Sequence, residues 1–317
     1  MQIKTLHIEF TTACNSQCVM CDYWKTGSAD TIDPSLVLNA ISGQYPLGLK
    51  TVYFTGGECL MFADKLFSLC GQIKEKYPSL KLGIITNGLL LKRYCREVAA
   101  LFSKVIISLD AVDPSIYKAI RGVDGLESIK TGIQLLKSTS PQTQVNLRVL
   151  VLAENVNNLP DIIEFGIAEK IDRISFIPED TSSESAFGRI ENAFALRKKQ
   201  KFDLSALEKV IRQIRETNSR HMGTLLRKDL EDLERVYRLY AGEAGCFPRC
   251  SKAYQSCVIG TTGTVSPCFF IHGSRQISPE QTLQDILSGE DYCRCVSDIA
   301  AHRYPVCFSC ACPKELS

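Results

Sequence analysis

The chain has no uninterrupted apolar run near the ~18 residues that a membrane span requires, so the sequence offers no transmembrane helix. It also lacks charge imbalance. Lys and Arg number 37 against 35 Asp and Glu, a net charge of +2, which removes any broad electrostatic case for nucleic acid or an anionic membrane. The N-terminus, MQIKTLHIEF, alternates like a strand and lacks the apolar core and cleavage site of a signal peptide. Histidine is scarce: there are four, His221, His272 and His302 show no metal-ligand spacing, and His7 falls inside a strand-like run. There is no internal repeat and no low-complexity tract.

Cysteine is abundant. Fifteen cysteines in a chain without an export signal argue for metal ligation rather than disulfides, in a reducing and oxygen-poor cytoplasm. At 317 residues, with 45% hydrophobic and 23% charged content, the chain is long enough for one large domain or two moderate ones.

Strand-like and helix-like segments alternate through the first half. Candidate strands are 4–10, 51–55, 81–86, 104–109, 144–152 and 173–177, separated by helix-period segments near 34–41, 63–76, 92–100, 126–137 and 159–169. Such a succession implies parallel strands joined by right-handed crossovers. Six units are too few for a closed eight-stranded barrel, so the expected fold is α/β, a partial (β/α)6 TIM-like barrel. Chemistry in such folds sits at the C-terminal strand ends. Cys14 follows the first strand, Gly56-Gly57-Glu58 the second, Asn87-Gly88 the third, Asp110 the fourth and Pro178-Glu179-Asp180 the sixth. Beyond residue 180 a polar loop and two amphipathic helices, 203–217 and 225–240, lead to a segment with nine cysteines in 72 residues and few helical signals. Such a segment cannot build much apolar core, so metal binding is its expected organiser. The expected division is residues 1–190 as the barrel, 191–245 as a helical connector and 246–317 as a small cysteine-rich domain.

Cys14, Cys18 and Cys21 are spaced C-x3-C-x2-C directly after the first strand. Three thiolates can hold three irons of a [4Fe–4S] cluster and leave the fourth open to a ligand. The run TTACNSQCVMC, with Met20 before the third cysteine, resembles the signature of the radical S-adenosylmethionine enzymes. Gly56-Gly57-Glu58 is similar to that family's GGE motif, and the likeness spans most of residues 3–180.

The resemblance implies a cluster that binds S-adenosylmethionine, reductive cleavage to a 5′-deoxyadenosyl radical, and hydrogen abstraction from a C–H bond. It implies that Met20 packs beside the adenine and that Gly56 and Gly57 let backbone approach the cofactor. Glu58, or the backbone beside it, would accept from the cofactor's ammonium, Asn87, Ser108 and Asp110 would ring the cofactor, Arg148 would pair with its carboxylate, and Pro178 would border the adenine. It further implies a low-potential electron donor such as flavodoxin or ferredoxin. Cys59 stands where the family often has proline. It is either a hydrogen-atom donor to a substrate radical or a small residue filling a turn. Glu179 and Asp180 are candidate general bases against the alternative of exposed loop acids. Tyr23 and Trp24 are expected to cover the cluster loop, Arg121-Gly122 to form a turn, and Cys70 and Cys95 to fill the core.

Cys250, Gly263 and Cys268, followed by Cys307 and Cys310, resemble the SPASM and Twitch auxiliary-cluster domains of the same family, within which residues 257–268 read as a hairpin. One auxiliary [4Fe–4S] cluster on Cys250, Cys268, Cys307 and Cys310 is the expectation, with Cys257 and Cys312 as alternates; Cys246, Cys293 and Cys295 leave room for a second cluster. A structural zinc site is the competing reading of four thiolates with a C-x2-C pair. The chain enters its first strand almost at once, which favours a small polar substrate, such as a sugar or aminocyclitol that is oxidised or epimerised, over a ribosomally made peptide. A non-catalytic iron–sulfur or zinc protein is the remote alternative, and it leaves the GGE at a strand end unexplained.

Overall fold

A computed structural model of the chain describes residues 1–25, 29–180, 183, 187, 202–218, 225–243, 250–278, 280–307 and 310. Strands β1 (Thr5–Thr11), β2 (Thr51–Gly56), β3 (Lys81–Thr86), β4 (Lys104–Ser108), β5 (Gln144–Val151) and β6 (Arg173–Pro178) follow one another, each paired in parallel with the next. Helices α1 (Pro34–Gln44), α2 (Ala63–Lys76), α3 (Cys95–Leu101), α4 (Pro114–Arg121), α5 (Leu126–Thr139) and α6 (Leu159–Ala168) make the crossovers. The order β6-β5-β4-β3-β2-β1-β7-β8-β9 is that of an open sheet, a partial barrel.

Alternation along the strands divides the two faces. Leu6, Ile8 and Phe10 on β1, Val52 and Phe54 on β2, and Val145, Leu147 and Val149 on β5 are fully buried in one hydrophobic core with the helices. The residues between them, among them His7, Glu9, Tyr53, Ser108, Arg148 and Ser175, are half-buried and line the concave face. Register places Ser108, Arg148 and Ser175 in one row across β4, β5 and β6.

Helix α4 is absent from the sequence-based expectation. Its ends carry ordinary signals: the Asp113 carboxylate caps the Ser115 and Ile116 amides at 2.9 Å, Pro114 opens the first turn, and Gly122 ends it at φ +71°.

After β6 come α7 (Leu204–Asn218) and α8 (Leu225–Tyr240). The Tyr240 hydroxyl donates to the Val151 carbonyl and accepts from the Glu179 amide, both at 2.8 Å, and Arg173 pairs with Asp232 at 2.9 Å. The helical pair is thereby fastened to β5 and β6. A short helix α9 (Lys252–Gln255) leads into β7 (Ser256–Ile259), β8 (Thr264–Ser266) and β9 (Arg275–Gln276). The expected hairpin is β7–β8. Strand β7 pairs in parallel with β1, Leu6 opposite Cys257, so the cysteine-rich segment extends the barrel's own sheet. It also carries two helices where few helical signals are expected, α10 (Leu283–Ser288) and α11 (Glu290–Ala300). The Thr282 and Asp285 side chains close a reciprocal capping box at the start of α10. The Gln44 amide donates to Gln284 at 2.8 Å, tying α1 to α10.

Candidate active site

The loop carrying Cys14, Cys18 and Cys21 leaves the end of β1 and is gripped from three sides. At the end of β2, the Gly57 amide donates to the Thr11 carbonyl and the Glu58 amide to the Ala13 carbonyl, each at 2.7 Å. Gly56 sits at φ +125°, and a Cβ there would collide with the Thr11 backbone; one on Gly57 would collide with the Ala13 carbonyl. These glycines therefore admit the cluster loop itself, a close approach that the sequence-based expectation does not include.

From β3, the Asn87 amide nitrogen donates to Asn15 Oδ1 at 2.7 Å and Ser16 Oγ at 3.0 Å, and lies 3.9 Å from Cys14 Sγ. Its own oxygen accepts from the Leu89 amide at 3.0 Å. The third grip is the C-terminal end of α4, whose Ile120 and Arg121 carbonyls accept from the Val19 and Gln17 amides at 2.9 and 3.0 Å. There the Arg121 guanidinium pairs with Asp110 at 2.6 Å and donates to Cys18 Sγ at 3.7 Å. Gly122 is required at this junction, because a Cβ would strike Gln17.

Glu58 is fully buried, and its carboxylate accepts from the Leu60 amide (3.0 Å), the Thr86 hydroxyl (2.9 Å) and the Asn87 amide (2.7 Å). Burial raises its pKa against those three donors. The side chain joins β2 to β3. Asp110 is likewise fully buried, accepting from the Leu150 amide at 2.7 Å and pairing with Arg121, so it braces the site and does not line it. Cys59 has no exposed surface and its thiol donates to the Thr55 carbonyl at 3.1 Å, the surroundings of a small residue filling a tight turn.

Met20 is half-buried on the cluster loop, and Pro178 ends β6, also half-buried. Ser108 and Arg148 lie side by side on the concave face, where the Arg148 charge reaches His7 and Tyr53. Asp180 accepts from the Ser183 amide at 3.1 Å, and the Glu179 amide is held by Tyr240, so both residues fix the chain as it leaves β6. Glu9, which sequence reading does not single out, accepts from the Tyr23 hydroxyl at 2.8 Å on the concave face, and burial raises its pKa. The Trp24 ring nitrogen donates to the Cys18 carbonyl at 3.3 Å, covering the loop. Cys70 and Cys95 are core residues.

None of the thirteen described cysteines is in a disulfide. Cys14, Cys18 and Cys21 sense one another electrostatically, and burial pushes the Cys21 thiol up to about 12 and raises Cys14. Thiols of this kind surrender their protons when metal takes the proton's place. Among the described residues no three His, Cys, Asp or Glu side chains converge to hold a single metal ion. Cluster thiolates each take a different iron and share no such point. Three free sulfurs, two of them facing N–H donors, fit a [4Fe–4S] cluster with one iron left open.

In the C-terminal segment the structure brings Cys268, Cys293 and Cys295 around Tyr292, and the Tyr304 hydroxyl donates to Cys295 Sγ at 3.3 Å beside Cys307. Sequence reading leaves Cys293 and Cys295 unassigned, with room for a second cluster, and does not foresee the helix α11 that carries both. Cys250 packs against the core and Cys310 is half-buried. Cys257, an alternate ligand from sequence, occupies the buried row opposite Leu6 with no exposed surface, as a core thiol. Cys312 and Cys246 lie outside the described residues.

The profile of the Radical SAM superfamily matches residues 8–166. A "Probable GTP 3',8-cyclase" of Methanococcus maripaludis is 29% identical over 187 residues, covering 56% of this chain and 60% of its own length. One from Sulfolobus acidocaldarius is 29% identical over 180 residues, covering 56% of each. The chain thus spans about three fifths of the curated relatives it matches. Among solved structures, Streptococcus suis SuiB bound to S-adenosylmethionine superposes with a TM-score of 0.68 at 18% identity, covering 93% of this chain and 68% of that one. Native anSMEcpe with bound AdoMet gives 0.67 at 16% identity, over 92% and 82%. These likenesses are of fold. With the matched profile covering half of its residues and the thiol loop, the GGE strand end and the open parallel sheet in place, the chain belongs to the Radical SAM superfamily, whose members bind a [4Fe–4S] cluster and S-adenosylmethionine.

Proposed function

We propose that this chain reductively cleaves S-adenosylmethionine and abstracts hydrogen from a C–H bond of a small polar metabolite, oxidising it. The carrying observation is the three-sided grip on the cysteine loop, which holds three thiols and sets N–H donors from Asn87 and Arg121 against two of them, Cys14 and Cys18. When bound, the cluster supplies a low-potential electron and S-adenosylmethionine the 5′-deoxyadenosyl group that receives the hydrogen atom.

The chain's own residues bind, orient and enclose. Gly57 and Glu58 amides fix the loop, Met20 offers an apolar side chain beside it, and the parallel strands carry a polar interior of Glu9, Arg148 and Ser175, with Tyr23 of the loop bonded to Glu9. Polar and charged side chains on the barrel's concave face favour a polar substrate, whose own groups can hydrogen-bond there once water is expelled. Oxidation is favoured over epimerisation because the Cys59 thiol is sealed into its turn. The electron donor in this reading is a small low-potential protein of the flavodoxin or ferredoxin kind. The C-terminal thiols hold an auxiliary cluster that takes up the substrate's electron.

Peptide modification is the second reading, favoured by solved structures of like fold obtained with the precursor peptide SuiA and the Cp18Cys peptide; BtrN, of like fold, was solved with AdoMet and 2-DOIA. The test is anaerobic reconstitution, iron counting, reduction with dithionite, and assay of 5′-deoxyadenosine. About four irons per chain are expected for the first cluster alone and about eight with one auxiliary cluster. Deuterium carried into 5′-deoxyadenosine from a labelled polyol or aminocyclitol supports the metabolite reading, and from a labelled peptide the second. No 5′-deoxyadenosine from a fully loaded, reduced chain overturns both.

A further inference from the structure

We propose that Arg121 is a positioning residue for the cluster: held between Asp110 and Cys18, its guanidinium sets a permanent positive charge against one cluster thiolate and tunes how readily the cluster accepts its electron. This rests on reading Cys14, Cys18 and Cys21 as the ligands.

The geometry is specific. Nη2 lies 2.6 Å from Asp110 Oδ2, an ion pair rather than an aligned hydrogen bond, and Nη1 lies 3.7 Å from Cys18 Sγ. The Arg121 side chain is 11% exposed, that of Asp110 not at all. Nε is buried without a hydrogen bond, so the guanidinium is not placed there to satisfy its own donors. The helix is locked to the loop by two backbone hydrogen bonds at its last residues, so the charge cannot drift from the sulfur.

The electrostatics follow. Three thiolates bring negative charge to the cluster, and one-electron reduction adds another. A fixed cation and an N–H donor on a ligand sulfur stabilise the reduced form more than the oxidised one, and so raise the potential. Arginine suits this because it cannot lose its proton, and burial leaves the charge little screened by salt. Asp110 works in the opposite sense, offsetting part of that charge from its far side. The two residues should therefore move the cluster in opposite directions when neutralised, which a purely structural pair would not do.

The experiment compares wild type, Arg121→Lys, Arg121→Gln and Asp110→Asn after anaerobic reconstitution, by iron content and EPR-monitored redox titration of the N-terminal cluster. Arg121→Gln is expected to cost about tenfold or more in the reduction equilibrium, about 59 mV to the negative for one electron. Arg121→Lys should fall closer to wild type, and Asp110→Asn should move positive. Unchanged potentials, or shifts of one sign in Arg121→Gln and Asp110→Asn, overturn the proposal. Should Arg121→Gln lose its iron, Asp110→Asn decides alone: a positive shift supports the assignment and any other result sinks it. A wild-type chain that holds no cluster overturns the underlying reading instead, and iron content tells the two failures apart.

Discussion

Replacing Gly57 with alanine adds one carbon where there is no room for it. That Cβ would stand 2.6 Å from the Ala13 carbonyl carbon and 2.7 Å from the Thr12 carbonyl oxygen. Both atoms are backbone, so no side chain can swing aside. The loop must retreat, and the adjacent 2.7 Å hydrogen bonds from Gly57 to Thr11 and from Glu58 to Ala13 stretch or break. Overpacking typically costs about 1–3 kcal/mol, and each backbone hydrogen bond adds about 0.5–1.5 kcal/mol. A total near 2–6 kcal/mol would lower Tm by about 3–9 °C in a chain of this size, or the loop detaches and the penalty falls on cluster binding instead. The assay is calorimetry of the free chain, followed by iron counting and 5′-deoxyadenosine formation after reconstitution. Gly71→Ala is the control: within α2, with nothing within 4 Å of its added Cβ, it should gain about 0.5–1 kcal/mol. If Gly57→Ala matched wild type in Tm and in iron, the steric account of the GGE strand end would be refuted.

Cys18→Ala should abolish 5′-deoxyadenosine formation while Cys268→Ala spares part of it; equal, wild-type cleavage in both would undo the division of the cysteines into two groups. Cys59→Ala should keep both 5′-deoxyadenosine formation and substrate turnover, at a stability cost of about 1 kcal/mol; loss of turnover with cleavage intact would restore the thiol as a reactant. His7, its buried Nδ1 without a hydrogen bond, has its pKa lowered to about 3, first by burial and then by the Arg148 and Lys252 charges. A depressed folded-state value means the unfolded chain binds the proton more tightly. Stability is then complete above about pH 6.5 and falls toward pH 3, by as much as about 1 kcal/mol per pH unit. His7→Gln should flatten that slope in urea titrations, and an unaltered slope would contradict the assignment.

The strands are legible because β-branched and apolar residues alternate with polar ones under a single buried face, as in 5–11 and 144–151. The cluster thiols are legible because their spacing is local. What escapes depends on distance. Arg121 acquires its meaning only when α4 delivers it to Cys18, and α4 is so short that its end, Arg121-Gly122, reads in sequence as a turn. Asn87 is noticeable, yet its role as the fastening of Asn15 and Ser16 cannot be seen without the end of β3 beside the loop. Glu58 illustrates the opposite error: the motif is plain, but which way its carboxylate turns is decided by Thr86 and the Asn87 amide. Helix α11 is hidden by its cysteines and α10 by its shortness, although Thr282 and Asp285 spell a capping box.

The parallel pairing of β1 with β7 joins the start of the chain to a strand made near its end. At ~5–20 residues per second on the ribosome, β1 waits on the order of tens of seconds for that neighbour. Throughout that interval the nascent protein bears an unzipped strand margin beside reactive thiols, the combination most open to adventitious pairing and oxidation. Sealing this seam is therefore a late event in biogenesis, and a truncation that stops short of residue 256 would leave it permanently ajar.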